Sequence, residues 1–214
     1  MHADFWHQKW ENGDIGFHES EVNPALENHL AQLQLPKATR IFVPLCGKSN
    51  DIIWLLQQGY RVVGAELSSL AVADLFTSLG HPPRITQHGP LSLYQAENID
   101  LWVGDIFALS SPLLGQVDAI YDRAALVALP AETRRDYARL LVNLSGAAPQ
   151  LLVCYEYDQA LHPAPPFAVK ASEVQQLYGD HYQPLRLSQQ PLANGLRGSI
   201  PASITSWLLQ RPVR

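Results

Sequence analysis

Cysteine is scarce in this sequence: Cys46 and Cys154 are the only two among 214 residues. Two cysteines cannot form the set of disulfides that stabilises small secreted domains. Neither belongs to a C-x-x-C pair or lies near spaced histidines, which argues against a zinc site, and the eight histidines are scattered. We therefore expect no bound metal and no disulfide.

Basic residues and long apolar runs are also few. The 15 lysines and arginines are outnumbered by 20 acidic residues, giving a net charge of −5, whereas a nucleic-acid-binding protein presents a basic face. No apolar run approaches the roughly 18 residues of a membrane-spanning helix. The first residues are polar and include acids, unlike a secretory signal peptide. We expect a cytoplasmic protein with no nucleic-acid or membrane partner.

Short apolar runs alternate with amphipathic stretches, a pattern typical of βαβ units and a parallel sheet. The apolar runs predict strands at 40–45, 61–66, 99–103, 117–121 and 150–155. The amphipathic stretches predict helices at 50–58, 69–79, 132–144 and 171–178, closely followed by Gly59, Gly80, Gly146 and Gly179. Glycine tolerates the left-handed conformation that ends a helix, so these positions support the predicted helices.

The C-terminal part lacks a helical pattern and predicts a hairpin. Residues 184–190 and 203–210 are two further strand candidates, joined by the loop 191–202. With five β/α units, this hairpin makes a doubly wound α/β fold with a mostly parallel seven-stranded sheet flanked by helices. A tryptophan-rich start and an amphipathic stretch at 23–33 precede it. We expect one domain over 1–214, with a helical arm at 1–39 and the sheet at 40–214.

The first junction between a strand and a helix is the richest candidate site. Gly47 lies in the loop between them, where a ligand can approach the backbone closely and meet the free N–H groups of a helix N-terminus. Gly47-Lys48-Ser49 resembles the end of a P-loop, but Phe42 stands where that motif requires a glycine. The G-x-G-x-x-G fingerprint of dinucleotide-binding proteins is also missing. Pyrophosphate binding is therefore disfavoured.

Two acids end the next two strand candidates. Glu66 comes 19 residues after Gly47, where a carboxylate can accept hydrogen bonds from ribose hydroxyls. Asp105, followed by Ile106, could bind an adenine amino group and cover the ring. Each acid alone could simply be an exposed residue at a strand end. Together with the loop they indicate a nucleoside pocket without pyrophosphate provision, which favours S-adenosylmethionine and a methyltransferase over a dehydrogenase.

At this point the sequence resembles the bacterial thiopurine S-methyltransferases along nearly its whole length. The segments that carry the resemblance are FWHQKWENGDIGFH, FVPLCGKS, VVGAELS, YDRAALVALP, HPAPPF and ITSWLLQR. The resemblance implies the Rossmann-like fold of class I methyltransferases and S-adenosylmethionine as the cofactor. It also implies methyl transfer to the sulfur of thiopurines or related small heterocyclic thiols.

The resemblance further implies roles for individual residues. Trp6 and Trp10, four residues apart and so on one helical face, would form an N-terminal lid over the cofactor, and Phe17 would touch the acceptor ring. Arg123 would lie near both cofactor and acceptor, and Arg197 would face the acceptor. The remaining cofactor-binding residues would be Leu45, Cys46 and Gly47 at the methionine portion, Glu66 at the ribose, Asp105 and Ile106 at the adenine, and Leu67.

Several alternatives remain open for these residues. The two tryptophans could merely pack the arm onto the sheet, Arg123 could form a structural ion pair with Asp122, and Arg197 could be a solvated loop arginine. Cys46 has no identifiable base neighbour, so a pocket wall is the favoured role. We find no general base in the sequence and expect Arg123, with Arg197, to hold an anionic thiolate electrostatically.

The function also has alternatives. The nearest is a methyltransferase for another small soft nucleophile, such as halide, thiocyanate or an oxyanion of selenium or tellurium, with detoxification or metalloid resistance as the role. An NAD-dependent oxidoreductase is disfavoured by the missing glycines, and a non-catalytic cofactor sensor would bind the cofactor without forming product. No heptad pattern indicates an oligomer, so we expect a monomer.

Overall fold

A computed structural model of the chain describes residues 3–163 and 165–212. The chain forms one mixed sheet of nine strands in the order β3-β4-β5-β2-β1-β6-β7-β9-β8. The strands are β1 (Arg40–Pro44), β2 (Arg61–Glu66), β3 (Arg84–His88), β4 (Leu91–Ala96), β5 (Ile99–Val103), β6 (Ala119–Arg123), β7 (Gln150–Tyr157), β8 (Gln183–Pro191) and β9 (Ala202–Gln210). The helices are α1 (Ala3–Glu11), α2 (Pro24–His29), α3 (Asn50–Gln57), α4 (Ser69–Leu79), α5 (Ser111–Leu114), α6 (Ala131–Ser145) and α7 (Ala171–Tyr178).

The five central strands are parallel and buried on both faces. Along β1, Ile41 and Val43 belong to one apolar cluster and Phe42 to the other, because successive side chains of a strand point to opposite faces. The first cluster includes buried residues of α2, α3 and α4, and the second includes those of α5, α6 and α7. Helices therefore cover both faces of the sheet, and the doubly wound α/β prediction is confirmed.

The predicted strand count of seven is wrong: the sheet has nine strands. The two missed strands, β3 and β4, form an antiparallel hairpin that pairs with β5 and ends one edge of the sheet. No residue of β3 is buried, so its sequence RITQH carries no apolar run. A search for apolar runs therefore misses β3, which lies at the edge of the sheet. It also misses β4, which follows β3 directly after the turn residues Gly89 and Pro90.

The fourth predicted strand is displaced along the chain. It was expected at 117–121, whereas β6 spans Ala119–Arg123. Val117 is buried but precedes the strand, which explains the early prediction. The shift matters for the site, because Asp122 and Arg123 then lie within the strand and must point to opposite faces of the sheet.

The predicted C-terminal hairpin is confirmed, since β8 and β9 are antiparallel, and β9 also pairs antiparallel with β7. Gly59, Gly80 and Gly146 adopt positive φ at the helix ends as predicted, whereas Gly179 has φ −62° and α7 ends without a left-handed residue. Both cysteines are free and buried, and β6 separates β1, which precedes Cys46, from β7, which carries Cys154.

The N-terminal arm joins the fold through its second half. The amphipathic stretch at 23–33 forms α2 and a following 3₁₀ helix, and Leu26, Leu30 and Leu33 are buried against the sheet. By contrast, α1 has no buried residue. Over the described part of the chain, no helix combines the length and apolar character needed to cross a membrane.

Candidate active site

A cavity of about 550 Å³ lies at the carboxyl ends of the central parallel strands, beneath the N-terminal arm. This edge is where doubly wound sheets bind ligands, and the volume is in the usual range for small-molecule sites. All twelve residues predicted for the site line this one cavity: Trp6, Trp10, Phe17, Leu45, Cys46, Gly47, Glu66, Leu67, Asp105, Ile106, Arg123 and Arg197.

Glu66 is held at the end of β2 by backbone donors. The N–H of Gly47 donates to Glu66 Oε2 at 2.7 Å, and the N–H of Ser68 donates to Oε1 at 2.8 Å. Burial raises the pKa of this carboxyl above its usual range, and the backbone hydrogen bonds oppose that rise. The carboxylate is thus fixed in place while its remaining lone pairs can still accept hydrogen bonds from hydroxyls.

The loop after β1 brings the backbone close to the cavity. Leu45 and Gly47 both have positive φ, 46° and 52°, so the chain turns sharply before α3. Cys46 packs against β2, because a Cβ added at Gly64 would lie 2.9 Å from Cys46 Sγ. Burial, with a smaller contribution from Glu66, raises the pKa of the Cys46 thiol well above its usual value. Cys46 therefore stays protonated and forms part of the wall.

Asp105 and Ile106 form the third strand-end element. Asp105 caps the 3₁₀ helix Ile106–Ala108 by accepting from the N–H of Phe107 at 3.0 Å. The Asp105 side chain is exposed and Ile106 is buried, and both line the cavity. One carboxylate and one apolar side chain thus lie side by side in the cavity wall just after the end of β5.

Arg123 is anchored by an acid that sequence reasoning missed. Its Nε donates to Asp51 Oδ2 at 2.6 Å, and its Nη2 donates to Ser49 Oγ at 3.0 Å. Asp51 also accepts from the Tyr121 hydroxyl at 3.0 Å and from the N–H of Asn23 at 2.8 Å. Burial alone would lower the pKa of Arg123, but Asp51 raises it, so the guanidinium stays charged.

Asp122 does not pair with Arg123, although the sequence left that ion pair open as an alternative. Asp122 points to the other face of the sheet, where it accepts from the Tyr137 hydroxyl at 2.8 Å and the N–H of Leu126 at 3.1 Å. Burial raises its pKa to about 6. The interpretation of Asp122 and Arg123 as one ion pair is therefore wrong, because neighbours on a strand face opposite ways.

The aromatic side chains of the arm close the cavity from above. Phe17 makes edge-on contacts with Trp6 and Trp10, at centroid distances of 5.7 and 5.4 Å. Trp10 lies directly over the first loop, because a Cβ added at Gly47 would be 3.1 Å from its indole ring. Lys9 and Asp14 form an exposed ion pair on the arm. Arg197, in the loop before β9, has φ 55° and approaches Gly16 of the arm.

Several lining residues had no signal in the sequence analysis. Besides Asp51 they include Glu19, Tyr155, Pro165 and Pro166. The motif HPAPPF did mark the two prolines as part of a conspicuous segment, but nothing local placed them at the cavity. Glu19 Oε1 lies 3.6 Å from Arg123 Nη1, and the side chain is 37% exposed. In the described residues, no group of three or more His, Cys, Asp and Glu side chains could hold a metal ion.

The part of the cavity lined by the strand-end residues, which we call the donor end, matches the chemistry of S-adenosylmethionine. Two carboxylates, Glu66 and Asp105, stand at neighbouring strand ends, suited to a ribose and an adenine amino group respectively. Between Glu66 and the arm, the first loop offers close backbone approach at Gly47. The set has carboxylates rather than a Gly-rich phosphate cradle, which agrees with a phosphate-free nucleoside.

Solved structures share this fold at low sequence identity. The N1-methyltransferase of 1,6-didemethyltoxoflavin from Burkholderia thailandensis, solved with S-adenosylhomocysteine, superposes with a TM-score of 0.67 at 15% identity over 97% of this chain and 87% of that one. Magnesium protoporphyrin IX methyltransferase from Synechocystis, also with S-adenosylhomocysteine, gives 0.62 at 14% identity over 97% and 98%. The fold is therefore that of class I methyltransferases.

Comparisons with curated proteins reach further than the fold. Thiopurine S-methyltransferase of Teredinibacter turnerae is 52% identical over 100% of this chain and 99% of its own length, and that of Xanthobacter autotrophicus is 49% identical over 99% and 100%. The family model described as thiopurine S-methyltransferase matches residues 1–200. With this match the chain belongs to the thiopurine S-methyltransferase family.

Proposed function

We propose that the protein transfers a methyl group from S-adenosylmethionine to the sulfur of thiopurines or related small heterocyclic thiols. The family establishes a methyltransferase with this donor. The observation that carries the acceptor class is the position of Arg123, a buried cation in the cavity wall that also contains the aromatic Phe17 and the Pro165-Pro166 segment. A planar ring with an anionic or strongly polarised sulfur matches that combination.

The chain's residues have separate tasks in this proposal. Glu66 and Asp105 hold the ribose and the adenine, and Leu45, Cys46, Gly47, Leu67 and Ile106 line the rest of the donor site. When bound, S-adenosylmethionine supplies a methyl group already activated on a sulfonium. Arg123 holds the sulfur of the acceptor in line with that methyl group, with Arg197 facing the acceptor. Proximity and alignment of this kind can supply about 7–11 kcal/mol of the barrier.

The N-terminal arm acts as a lid in this proposal. Its aromatic side chains contact each other and the first loop, while α1 has no buried residue. Weak attachment to the body allows opening, and the apolar inner surface excludes water when closed, which limits side reactions of the donor. Contacts of this kind support a lid over a purely structural role.

The chain is further proposed to act as a single-domain monomer in the cytoplasm. One sheet continues from β3 to β8, and both cysteines are free and buried, as is usual in a reducing compartment. Sedimentation equilibrium of the purified protein checks the oligomeric state, and a dimer would contradict it.

The decisive experiment measures methyl transfer from labelled S-adenosylmethionine to 6-mercaptopurine. Glu66→Ala should weaken donor binding and activity, whereas Glu97→Ala, an exposed glutamate outside the cavity, serves as the matched control. Arg123→Ala should lower turnover more than donor affinity. Unchanged kinetics in Arg123→Ala would contradict its role in the acceptor site.

A panel of acceptors separates the proposal from its nearest alternative. Halide, thiocyanate and selenium or tellurium oxyanions have no ring to contact Phe17 or the prolines. We therefore expect kcat/KM to be higher for 6-mercaptopurine than for any of these. A selenite or iodide value above that of every thiol would move the assignment to the other soft nucleophiles.

A further inference from the structure

We propose that Glu19 is a second catalytic residue, which accepts a ring N–H proton from a cyclic thioamide as Arg123 holds its sulfur. The inference rests on the proposed function and names the acceptor class more narrowly: heterocycles that present a thione sulfur beside an N–H. Sequence reasoning found no general base, and the Arg123–Glu19 pair supplies the arrangement that such an acceptor needs.

Glu19 is fixed at the cavity by two hydrogen bonds, one to its side chain and one to its backbone. Its Oε2 accepts from Asn23 Nδ2 at 3.0 Å, and its backbone carbonyl accepts from Asn50 Nδ2 at 3.0 Å. Its other carboxylate oxygen, Oε1, lies 3.6 Å from Arg123 Nη1, beyond hydrogen-bonding distance. Oε1 therefore keeps capacity to accept a hydrogen bond from a ligand, while Oε2 anchors the carboxylate.

Arg123 is held just as firmly, and it too keeps a donor free for a ligand. Its Nε and Nη2 are used by Asp51 and Ser49, whereas Nη1 lies beside Glu19, and both side chains line the cavity. A donor and an acceptor 3.6 Å apart match a ligand whose own acceptor and donor atoms are bonded to the same carbon. The –NH–C(=S)– unit of a cyclic thioamide has this pattern, with sulfur toward Arg123 and N–H toward Glu19.

The chemical step balances with this pairing. The thione sulfur forms a bond to the methyl carbon as the carbon–sulfonium bond of the donor breaks, and its electron pair stays on the donor sulfur. The ring N–H electron pair becomes the new C=N bond, and the proton passes to Glu19 Oε1. The products are a neutral S-methyl heterocycle and S-adenosylhomocysteine, and the proton then leaves to solvent through the exposed side of Glu19.

Other ionisable groups surround this carboxylate, and the test must separate them. Arg123 lies 3.6 Å away and is paired with Asp51, and the charge of Glu19 acts on His18, Tyr121 and Tyr155. Burial raises the pKa of both tyrosines, so neither is ionised at neutral pH. Burial, followed by Lys48 and Arg123, lowers the pKa of His18, which makes it the competing base.

The experiment compares Glu19→Gln with wild type on two acceptors, 6-mercaptopurine and 4-nitrothiophenol. The second is an ionised aromatic thiol without a ring N–H. Below the pKa of the thioamide, kcat on 6-mercaptopurine should fall on the order of 10²-fold, the usual contribution of a general base. On 4-nitrothiophenol kcat/KM should rise a few-fold, because a carboxylate that repels the thiolate has been removed.

The pH profile adds a second signature. Glu19→Gln should approach wild type on 6-mercaptopurine as the pH rises past the acceptor's own pKa, because the anion needs no base. Glu21→Gln, an exposed glutamate in the same segment, is the matched control and should match wild type on both acceptors. Equal loss on both acceptors, no loss, or selective loss in His18→Gln instead would overturn the role of Glu19.

A thermal melt and a titration with the donor show whether Glu19→Gln folds. If it folds poorly, the pH profiles of the wild-type enzyme provide the test instead. Its rate on 6-mercaptopurine should persist below the acceptor's pKa. On a third acceptor, unsubstituted thiophenol, which is less acidic than 4-nitrothiophenol and also lacks a ring N–H, the rate should follow the thiolate fraction. Parallel profiles would overturn the proposal. A wild-type enzyme inactive on every thiol, despite binding the donor, would contradict the proposed function itself and this inference with it.

Discussion

The two walls of the cavity are held by different kinds of contact. The sheet wall consists of the strand-end residues Leu45–Gly47, Glu66–Leu67 and Asp105–Ile106, and backbone N–H groups orient its key carboxylate. The arm wall consists of residues 5–19 with Arg197, and its internal contacts are aromatic edges and one exposed ion pair, Lys9–Asp14. A rigid wall suits one invariable donor, whereas a loosely attached wall can adapt to different acceptors.

One largely buried ion pair, between Asp51 and Arg123, lies between the two walls and reaches the arm wall through Glu19, whose Oε1 is 3.6 Å from Arg123 Nη1. Asp51 lies in the first turn of α3, the helix that follows the first loop, and it accepts both from Arg123 and from the backbone N–H of Asn23, four residues beyond the arm wall. Tyr121 donates to the same carboxylate. Asp51, on the helix that follows the first loop, thus positions the cation that we propose binds the acceptor, and substituting Asp51 tests the comparison most directly.

The largest effect is expected from Asp51→Ala. The substitution leaves Arg123 buried without its counter-charge, so the free energy of unfolding should fall by about 3–5 kcal/mol. Turnover should fall with it, since Arg123 is no longer fixed. Urea denaturation and methyl-transfer kinetics on the folded fraction measure both effects.

Asp74→Ala is the matched control, because Asp74 pairs with Lys48 at 2.8 Å while its side chain is 58% exposed. An exposed pair contributes about 0–1 kcal/mol, so little should change. Comparable losses in the two variants would mean that Asp51 does not connect the walls as described.

The difference between the two walls also explains which parts of the site could be predicted from the sequence. The sheet wall follows from local order, since each strand candidate ends in a loop glycine or an acid, and parallel strands place those ends at one edge. The arm wall depends on contacts between distant parts of the chain, such as those of Arg197 with Gly16 and of Arg123 with Glu19. The pair between Arg123 and Asp51 likewise joins residues 72 positions apart. Neither Asp51 nor Glu19 belongs to a local pattern that marks it as a partner of Arg123.

The fold was predictable to a similar extent and for similar reasons. Buried strands such as β1 carry continuous apolar runs, whereas β3 is exposed and β4 buries only alternate residues, Leu91 and Leu93. The family resemblance, rather than residue spacing, supplied the roles expected of five residues: Trp6, Trp10, Phe17, Arg123 and Arg197. Only tertiary packing decides which of several exposed acids faces Arg123.

A second prediction concerns how stability depends on pH. It rests on Asp122, whose side chain lies on the face of β6 opposite to that of Arg123. Its pKa is raised from 3.8 to about 6 by burial, so between these values the folded state holds a proton that the unfolded state has lost. Wild-type stability should therefore fall as the pH rises through this window, by roughly 1–3 kcal/mol relative to Asp122→Asn.

Urea denaturation of both proteins across this window measures the difference. Asparagine keeps an acceptor for the N–H of Leu126 and does not titrate, so groups elsewhere cancel between the two proteins. A stability difference that stays constant with pH, or changes with the opposite sign, would show that Asp122 is ionised throughout.

A third prediction concerns the packing of the sheet wall. A Cβ at Gly64 would lie 2.5 Å from Leu101 Cδ2 and 2.9 Å from Cys46 Sγ, so Gly64→Ala must displace one of them. Overpacking of this kind costs about 1–3 kcal/mol of unfolding free energy. Donor affinity should fall with it, because Cys46 lines the donor end.

The matched variant for the arm wall is Gly16→Ala, where the nearest atom to an added Cβ, Arg197 Nη1, is 4.0 Å away. Its stability should change by less than about 0.5 kcal/mol. If Gly16→Ala destabilised the protein as much as Gly64→Ala, the two walls would not differ in packing.

The smallest effect on stability is expected from Trp10→Ala. The helix α1 has no buried residue, so removing the indole should change the free energy of unfolding by less than about 1 kcal/mol. Donor affinity should nevertheless fall roughly tenfold, since the ring covers the loop at Gly47 and its apolar area would be lost from the donor site. Calorimetric titration with S-adenosylhomocysteine measures the affinity, and Trp10→Phe, which keeps an aromatic ring, should restore most of it. A fall in stability with unchanged donor affinity would identify the tryptophan as a packing residue and remove the argument for a lid, because an arm that only packs has no reason to close over a ligand.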